Sequence, residues 1–333
     1  MKTILVTGGA GYIGSHTCRL ISSKEYRIIV LDNLEYGHLD ALGLDEGCIF
    51  INGDIGDKLL LVELFEEYDF EAVVHFAAYT YVGESVNNPE KYYRNNFTNG
   101  LILLDVMMKY GCRKLVFSST CATYGNPKYI PMDEDHPQQP LNAYGRSKYF
   151  FEQAVNDFHK AYGLEFVFLR YFNASGAARD GDIGEDHNPE THLIPLVLQQ
   201  AKGERQAIKV FGSDYPTLDG TCIRDYIHVE DLASAHLKAL QYLDKGNEST
   251  AFNLGTGQGY SVLQVINTAE KITGRKVEFS FAPKREGDAE SLVANVKKAA
   301  EKLGWRAEIT KLEEIIESAW RWENGPNNGK YKK

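Results

Sequence analysis

"VTGGAGYIGSH", residues 6–16, decides how this chain is read. It follows an apolar run, "TILVT" (3–7), and opens a stretch of helical periodicity at 12–24. Gly8, Gly11 and Gly14 stand three residues apart. In a strand-to-helix turn such glycines take up positive φ, let a ligand approach the backbone, and pack the helix closely on the strand. The N–H groups at the helix start and the positive end of its dipole suit a diphosphate. No Lys-Ser or Lys-Thr follows the last glycine, so the turn is not a P-loop.

Working outward, apolar runs alternate with amphipathic stretches. Strands are expected at 27–32, 48–53, 72–78, 114–119, 165–171 and 251–257, and helices at 59–68, 89–110 and 144–162. Strands apolar along their whole length and separated by helices predict an α/β fold, a doubly wound parallel sheet covered on both faces. Residues 1–175, rejoined by 224–258, are expected to form this nucleotide-binding part. Within 176–333, the segments 176–223 and 259–333 are expected to build a smaller C-terminal substrate lobe. That lobe should hold a helix at 261–273, a strand near 277–281 and helices near 295–303 and 310–322.

The formal net charge of -10 on 333 residues disfavours non-specific binding to nucleic acid. The five cysteines are odd in number and none shows C-x-x-C spacing, so neither a disulfide framework nor a metal site is expected. The opening apolar run is too short for a signal peptide or a membrane span, which predicts a cytoplasmic protein with no membrane partner.

The turn gains meaning from its neighbours. Asp32 ends the second strand, where a carboxylate accepts from adenosine ribose hydroxyls and repels a 2′-phosphate; the expected cofactor is NAD. Asp54 ends the third strand, placed to meet the adenine. Ser118, Ser119 and Thr120 end the strand at 114–119, at the edge where ligands bind in such sheets. Tyr144 and Lys148, four apart, share one helix face. Alone that pair describes a solvated face; after a nucleotide-binding half it suggests a phenol acting as base beside an ammonium. Lowering a phenol by ~3 pKa units requires roughly 4 kcal/mol. An ammonium ~4 Å away supplies about that at an effective dielectric of ~20.

With these motifs the chain resembles the extended short-chain dehydrogenase/reductases, whose nucleotide-binding half is of the Rossmann type. The resemblance extends to their UDP-sugar 4-epimerases through "FAAYTYVGESV", "FSSTCATYG", "YGRSK", "RYFNASGA", "THLIP", "FGSDYPTLDGTCIRDYIHVEDLA", "FNLGTG" and "KREGDAE". It implies reversible epimerisation of UDP-glucose and UDP-galactose at C4, through a transient 4-keto sugar and bound NAD. Tyr144 would be the acid/base, Lys148 its electrostatic partner and Thr120, Ser in many relatives, the group that polarises the C4 oxygen. The cofactor would lie against Gly8, Gly11, Tyr12, Ile13, Gly14, Asp32, Asn33, Asp54, Ile55, Phe76, Ala77, Ala78, Asn96, Ser118, Tyr144, Lys148 and Tyr171. Ser119 would help order the site. The substrate would meet Thr120, Tyr144, Asn173, His192, Leu193, Arg224, Arg285 and Asp288, the arginines clamping the diphosphate.

Two departures stand out. Thr80 replaces a lysine that some epimerases carry near the cofactor. Leu292 stands where relatives place either a bulky Tyr or a small Cys or Ser, which leaves N-acetylated UDP-sugars open. UDP-glucuronate and UDP-pentose also remain alternatives. A dehydratase of the same fold would carry Asp-Glu after the middle-strand hydroxyl, where this chain has Cys121 and Ala122. A non-catalytic NAD-binding protein would be expected to lose Tyr144 or Lys148. The resemblance further implies a homodimer built on the helices at 89–110 and 144–162.

Overall fold

The computed structural model describes residues 1–22, 26–43, 47–285 and 288–332. Six strands come from the first half: β1 (Lys2–Thr7), β2 (Tyr26–Asp32), β3 (Cys48–Asn52), β4 (Phe70–His75), β5 (Lys114–Thr120) and β6 (Glu165–Tyr171). With Thr250–Leu254 they form a seven-stranded sheet in the order Thr250–Leu254, β6, β5, β4, β1, β2, β3. Every neighbouring pair is parallel. The chain winds outward from β1 to β3, then returns to lay β4 on the other side of β1. That reversal opens a crevice beyond the carboxyl ends of β1 and β4, the usual ligand position in such sheets.

Burial explains why these strands lack polar alternation. Ile4, Leu5 and Val6 in β1 are all inaccessible, because each face of the sheet carries a helical layer. The helices Tyr12–Ser22 and Val229–Asp244 contribute to one core. The helices Lys58–Glu67, Gly100–Lys109 and Ala143–Tyr162 contribute to the other. A third core gathers the helices Leu193–Lys202, Val262–Thr273 and Leu312–Glu323. Around it lie short ladders, among them Ile223–Arg224 paired with both Tyr260–Ser261 and Ser291–Leu292.

Several boundaries differ from expectation for identifiable reasons. The strand expected at 72–78 stops at His75, since the Phe76 and Ala77 N–H groups both turn to the Thr7 carbonyl, at 2.9 and 3.1 Å. The strand expected at 251–257 stops at Leu254, because the Thr256 and Gly257 N–H groups donate to the Asp225 carboxylate at 2.8 and 3.1 Å. The helix expected at 89–110 is interrupted by a π-helical turn at Tyr93–Asn99. The helix expected near 295–303 ends in another, Ala299–Leu303, which packs with Trp305 on the first core rather than the third. The expected end of the first helix, 23–24, lies outside the described residues.

A buried polar network fixes the helix Ala143–Tyr162 to β5 and β6. The Glu152 carboxylate, with no exposed surface, accepts from Arg170 Nε at 3.0 Å and Nη2 at 2.6 Å. It also accepts from Ser119 Oγ at 2.5 Å and Gln138 Nε2 at 2.9 Å. Arg170 Nη1 donates to the Tyr124 hydroxyl at 3.1 Å, which donates to Asn253 Oδ1 at 2.6 Å. Removing one member leaves the other charge buried and unpaired. Glu152→Ala should therefore lower unfolding free energy by about 3–5 kcal/mol in urea denaturation. Replacing Glu152 with Leu and Arg170 with Met together should lose less; an equal or larger loss would contradict this reading.

Candidate active site

The glycine-rich turn is shaped by close backbone approach. Gly8 has φ +71°, and a Cβ there would stand 2.5 Å from the Ala77 nitrogen. A Cβ on Gly14 would stand 2.3 Å from the Gly8 carbonyl oxygen. A Cβ on Gly11 would meet only that same oxygen, at 3.3 Å, so this glycine leaves open space beside the helix that begins at Tyr12. The Tyr12 hydroxyl donates to the Gly176 carbonyl at 2.6 Å, while Ile13 packs against the first core.

Asp32, at the end of β2, accepts from the Ala10 N–H at 3.0 Å and the Leu34 N–H at 2.9 Å. Burial raises its carboxyl above the usual value, and those two N–H groups oppose the rise. Asn33 Nδ2 donates to Asp54 Oδ2 at 2.8 Å. Asp54 Oδ1 accepts from the Gly56 N–H at 2.7 Å and Asn99 Nδ2 at 3.3 Å, so Asp54 also closes its own turn. Ile55 is buried, Ala78 is half-buried, and Phe76 lies 4.5 Å from the His236 ring. Asn96 bonds both the N–H and carbonyl of Tyr79, at 2.8 and 2.9 Å, and donates to Ser147 Oγ at 3.1 Å. It thus ties the loop after β4 to the helix carrying Tyr144. An open glycine surface, a helix N-terminus and a buried carboxylate on the next strand together fit a dinucleotide.

Local chemistry brings the phenol to the end of β5. Thr120 ends that strand and accepts the Ala122 N–H at 3.1 Å, opening a tight turn at Cys121–Thr123. Asn142 caps the following helix by accepting the Gly145 N–H at 2.9 Å. Gly145 lacks the Cβ that would sit 2.6 Å from the Ala122 carbonyl oxygen, so the helix start rests directly on the turn. Tyr144, buried, is thereby brought close enough to Thr120 for the threonine hydroxyl to act on its phenol.

The electrostatics differ from the expected picture. Burial raises the Tyr144 phenol well above 10; Tyr171 adds to the rise and Thr120 opposes it. The protein's own groups thus keep the phenol neutral, and Lys148 is not what governs it. Lys148 donates to the Ser118 carbonyl at 2.9 Å and lies 4.7 Å from the centre of the Phe117 ring. Burial lowers its ammonium to about 7, with Glu152 opposing. The Ser118 hydroxyl pairs with the Tyr171 phenol, which burial raises to about 12.

Among the polar residues of the second half, Arg224 meets Asp288 and His192 meets Glu185. Arg224 donates to the Ile223 and Ala289 carbonyls at 2.8 and 2.9 Å, and its Nη2 stands 3.6 Å from Asp288. Leu292 pairs with Arg224 in register and packs in the cluster that holds Cys121 and Phe172. Arg285 lies 3.9 Å from the centre of the Phe211 ring. Burial raises the Cys222 thiol, and the charges of Arg224, Asp288 and Arg285 all reach it. The Arg224 charge also reaches Cys121, the residue after Thr120. Asn173 Nδ2 donates to the Asp225 carbonyl at 3.1 Å. His192 stands at the start of the helix Leu193–Lys202, its Nδ1 2.5 Å from Glu185 Oε1. Glu286 and Gly287 of "KREGDAE" lie outside the described residues.

Two features escaped the sequence reading. Gly145 was legible only as part of "YGRSK", because its task depends on a carbonyl two dozen residues earlier. Glu185, His187 and Glu190 collect around His192; their signal was the spacing E-x-H-x-x-E-x-H over 185–192.

Comparison with known proteins agrees with this geometry. Residues 4–255 match the NAD dependent epimerase/dehydratase family. A UDP-glucose 4-epimerase from Lacticaseibacillus casei is 48% identical over 325 residues, 97% of this chain and 98% of that protein. The crystal structure of UDP-glucose 4-epimerase from Brucella ovis in complex with NAD is similar at 47% identity and a TM-score of 0.93, covering 96% of this chain and 98% of that one. The enzyme of the same name from Bifidobacterium longum, in complex with NAD+ and UDP, is similar at 40% identity and a TM-score of 0.93, covering 98% of this chain and 100% of that one. With its cradle of glycines and its paired hydroxyls at the end of β5, this chain belongs to the NAD dependent epimerase/dehydratase family.

Proposed function

We propose that this protein interconverts UDP-glucose and UDP-galactose at C4 through a transient 4-keto sugar. The observation that carries the reading is the gathering of Thr120 and the buried Tyr144 at the carboxyl end of β5, where Gly145 lets the helix start rest on the Ala122 carbonyl. NAD, held by the glycine-rich turn and Asp32, would supply the acceptor for the C4 hydride and return it to the opposite face of the sugar. Thr120 holds the C4 oxygen while Tyr144 takes its hydroxyl proton, and Tyr144 returns that proton when the ketone is reduced. Both hydrogens leave C4–OH and both come back, so the reaction is redox-neutral overall.

Turning the sugar over requires that its carrier be gripped while the ring is free. Arg224 and Arg285 would pair with the diphosphate and Asp288 with the ribose, with Asn173, His192 and Leu193 along the chain between. In this reading residues 1–175, with 224–258, hold the cofactor and most of 176–333 holds the UDP. Leu292, packed against the same buried cluster as Cys121, faces the question of N-acetylated sugars. UDP-N-acetylglucosamine is accordingly the second substrate to assay.

The same reading includes a homodimer. Phe150 is 42% exposed, stacks with Tyr93 and meets Phe97 edge-on, so an aromatic face joins the helix Ala143–Tyr162 to the preceding helical segment. No helix among the described residues is long and apolar enough to cross a membrane. We take the cytoplasm as its compartment.

The direct test is turnover of UDP-glucose to UDP-galactose by purified protein without added cofactor. Tyr144→Phe should lower kcat by ~10²–10⁴-fold while NAD stays bound. Near-wild-type turnover would remove Tyr144 from the proton transfer. Lys148 gives a prediction in pH. In the cofactor-stripped protein its value is about 7, against an ordinary 10.5, so between those values the unfolded chain binds the extra proton. Stability contributed at this site then rises with pH from 7 and is lost as pH falls. Wild type should gain unfolding free energy relative to Lys148→Met between pH 7 and 10, and a flat difference would contradict the depressed value.

A further inference from the structure

We propose that Glu185, His187, Glu190 and His192 form a structural site for one divalent transition-metal ion of the zinc class. Their donor atoms, one from each residue, all lie within 4.8 Å of one another. His187 Nδ1 is 3.0 Å from Glu185 Oε1 and 3.9 Å from Glu190 Oε2. His192 Nδ1 is 2.5 Å from Glu185 Oε1 and 3.4 Å from Glu190 Oε1. Zinc bonded at about 2.0–2.1 Å places tetrahedral donors roughly 3.3 Å apart, so the four need to move little to close around an ion. Two imidazoles and two carboxylates suit zinc or a neighbouring transition metal; magnesium and calcium prefer oxygen throughout.

Charge points the same way. The side chains of Glu185 and Glu190 are each only 4% exposed, so two carboxylates are withdrawn from water side by side. Burying a charge is costly unless it is paired or bound to a metal. A divalent ion neutralises both while leaving the imidazoles in the uncharged form that ligates.

The surroundings are built to hold the ligands. The N–H groups of Thr191 and His192 donate to Glu190 Oε1 at 2.6 and 2.8 Å, which orients the carboxylate and leaves Oε2 available. Trp322 Nε1 donates to the Glu185 carbonyl at 3.0 Å, and His38 Nε2 bonds the Asp186 carbonyl at 2.9 Å. The Gly184 N–H donates to the Tyr331 hydroxyl at 3.0 Å. Such outer contacts are what metal ligands need to be held in place. Four protein donors leave no position for a reacting water, which makes the site structural. Its effect is to fasten the loop that delivers His192 and Leu193 to the start of their helix. The site's existence does not depend on which sugar the enzyme turns over, and its test reads metal content.

The full-length protein is incubated with Zn²⁺, freed of excess by gel filtration and assayed by elemental mass spectrometry. About one zinc per chain is expected, with an X-ray absorption signature of nitrogen and oxygen donors. His187→Ala and Glu190→Gln should each weaken zinc binding at least tenfold in competition with a chromogenic chelator, with folding checked by circular dichroism and NAD content. Wild-type protein that retains less than about a tenth of an equivalent would overturn the proposal. So would folded variants that hold zinc as tightly as wild type, or a signature of oxygen donors alone.

Discussion

Gly145 resting on the Ala122 carbonyl is the contact on which the site depends. A side chain there would meet that oxygen at 2.6 Å and lift the start of the helix Ala143–Tyr162. Tyr144 would then leave Thr120, and Lys148, one turn on, would leave the Ser118 carbonyl. Two further devices keep the helix in this position. Asn96 holds its second turn through Ser147, and Glu152 locks its middle to Arg170 and Ser119. The Tyr144 hydroxyl is therefore positioned by backbone fit at one end and a buried ion pair at the other.

Burial sets the protonation of this site before any ligand is considered. It raises Tyr144 and lowers Lys148, so both groups favour their uncharged forms more than they would in water. A phenol in that state can donate to a ketone but does not remove a proton. Base strength must come with a positive charge introduced beside it, and the oxidised cofactor of this family carries one on its ring. In the proposed reaction, cofactor binding would thus also be what activates Tyr144 as a base. This is more economical than a permanent phenolate, which would be an unpaired buried charge in the protein alone.

Much of this was legible in the sequence. The glycine turn, the uniformly apolar strands and Asp32 at the end of β2 are local patterns whose physics needs no tertiary context. Tyr144, Lys148 and Thr120 were singled out by spacing and resemblance, and the fold brings them to the end of β5. What failed was the electrostatic step. Helical spacing puts a Tyr and a Lys on one face, but it does not reveal that the ammonium turns to a carbonyl of β5 or that burial outweighs attraction. The π-helical turn at Tyr93–Asn99 was hidden because the apolar pattern runs through it unbroken. The two strand ends were misplaced by three residues each because Thr7 and Asp225, both distant in sequence, capture the N–H groups that follow. The Glu and His cluster was passed over because its residues were read one at a time.

The most direct measurement is a pH titration of Tyr144 by NMR, using tyrosine labelled at the ζ carbon and Tyr144→Phe to assign the signal. In cofactor-stripped protein the Tyr144 resonance should stay at the phenol position up to pH 10, and binding of NAD+ should bring its titration down toward neutral pH. A Tyr144 that titrates at or below 10 in the stripped protein, or one that NAD+ leaves unmoved, would contradict the account.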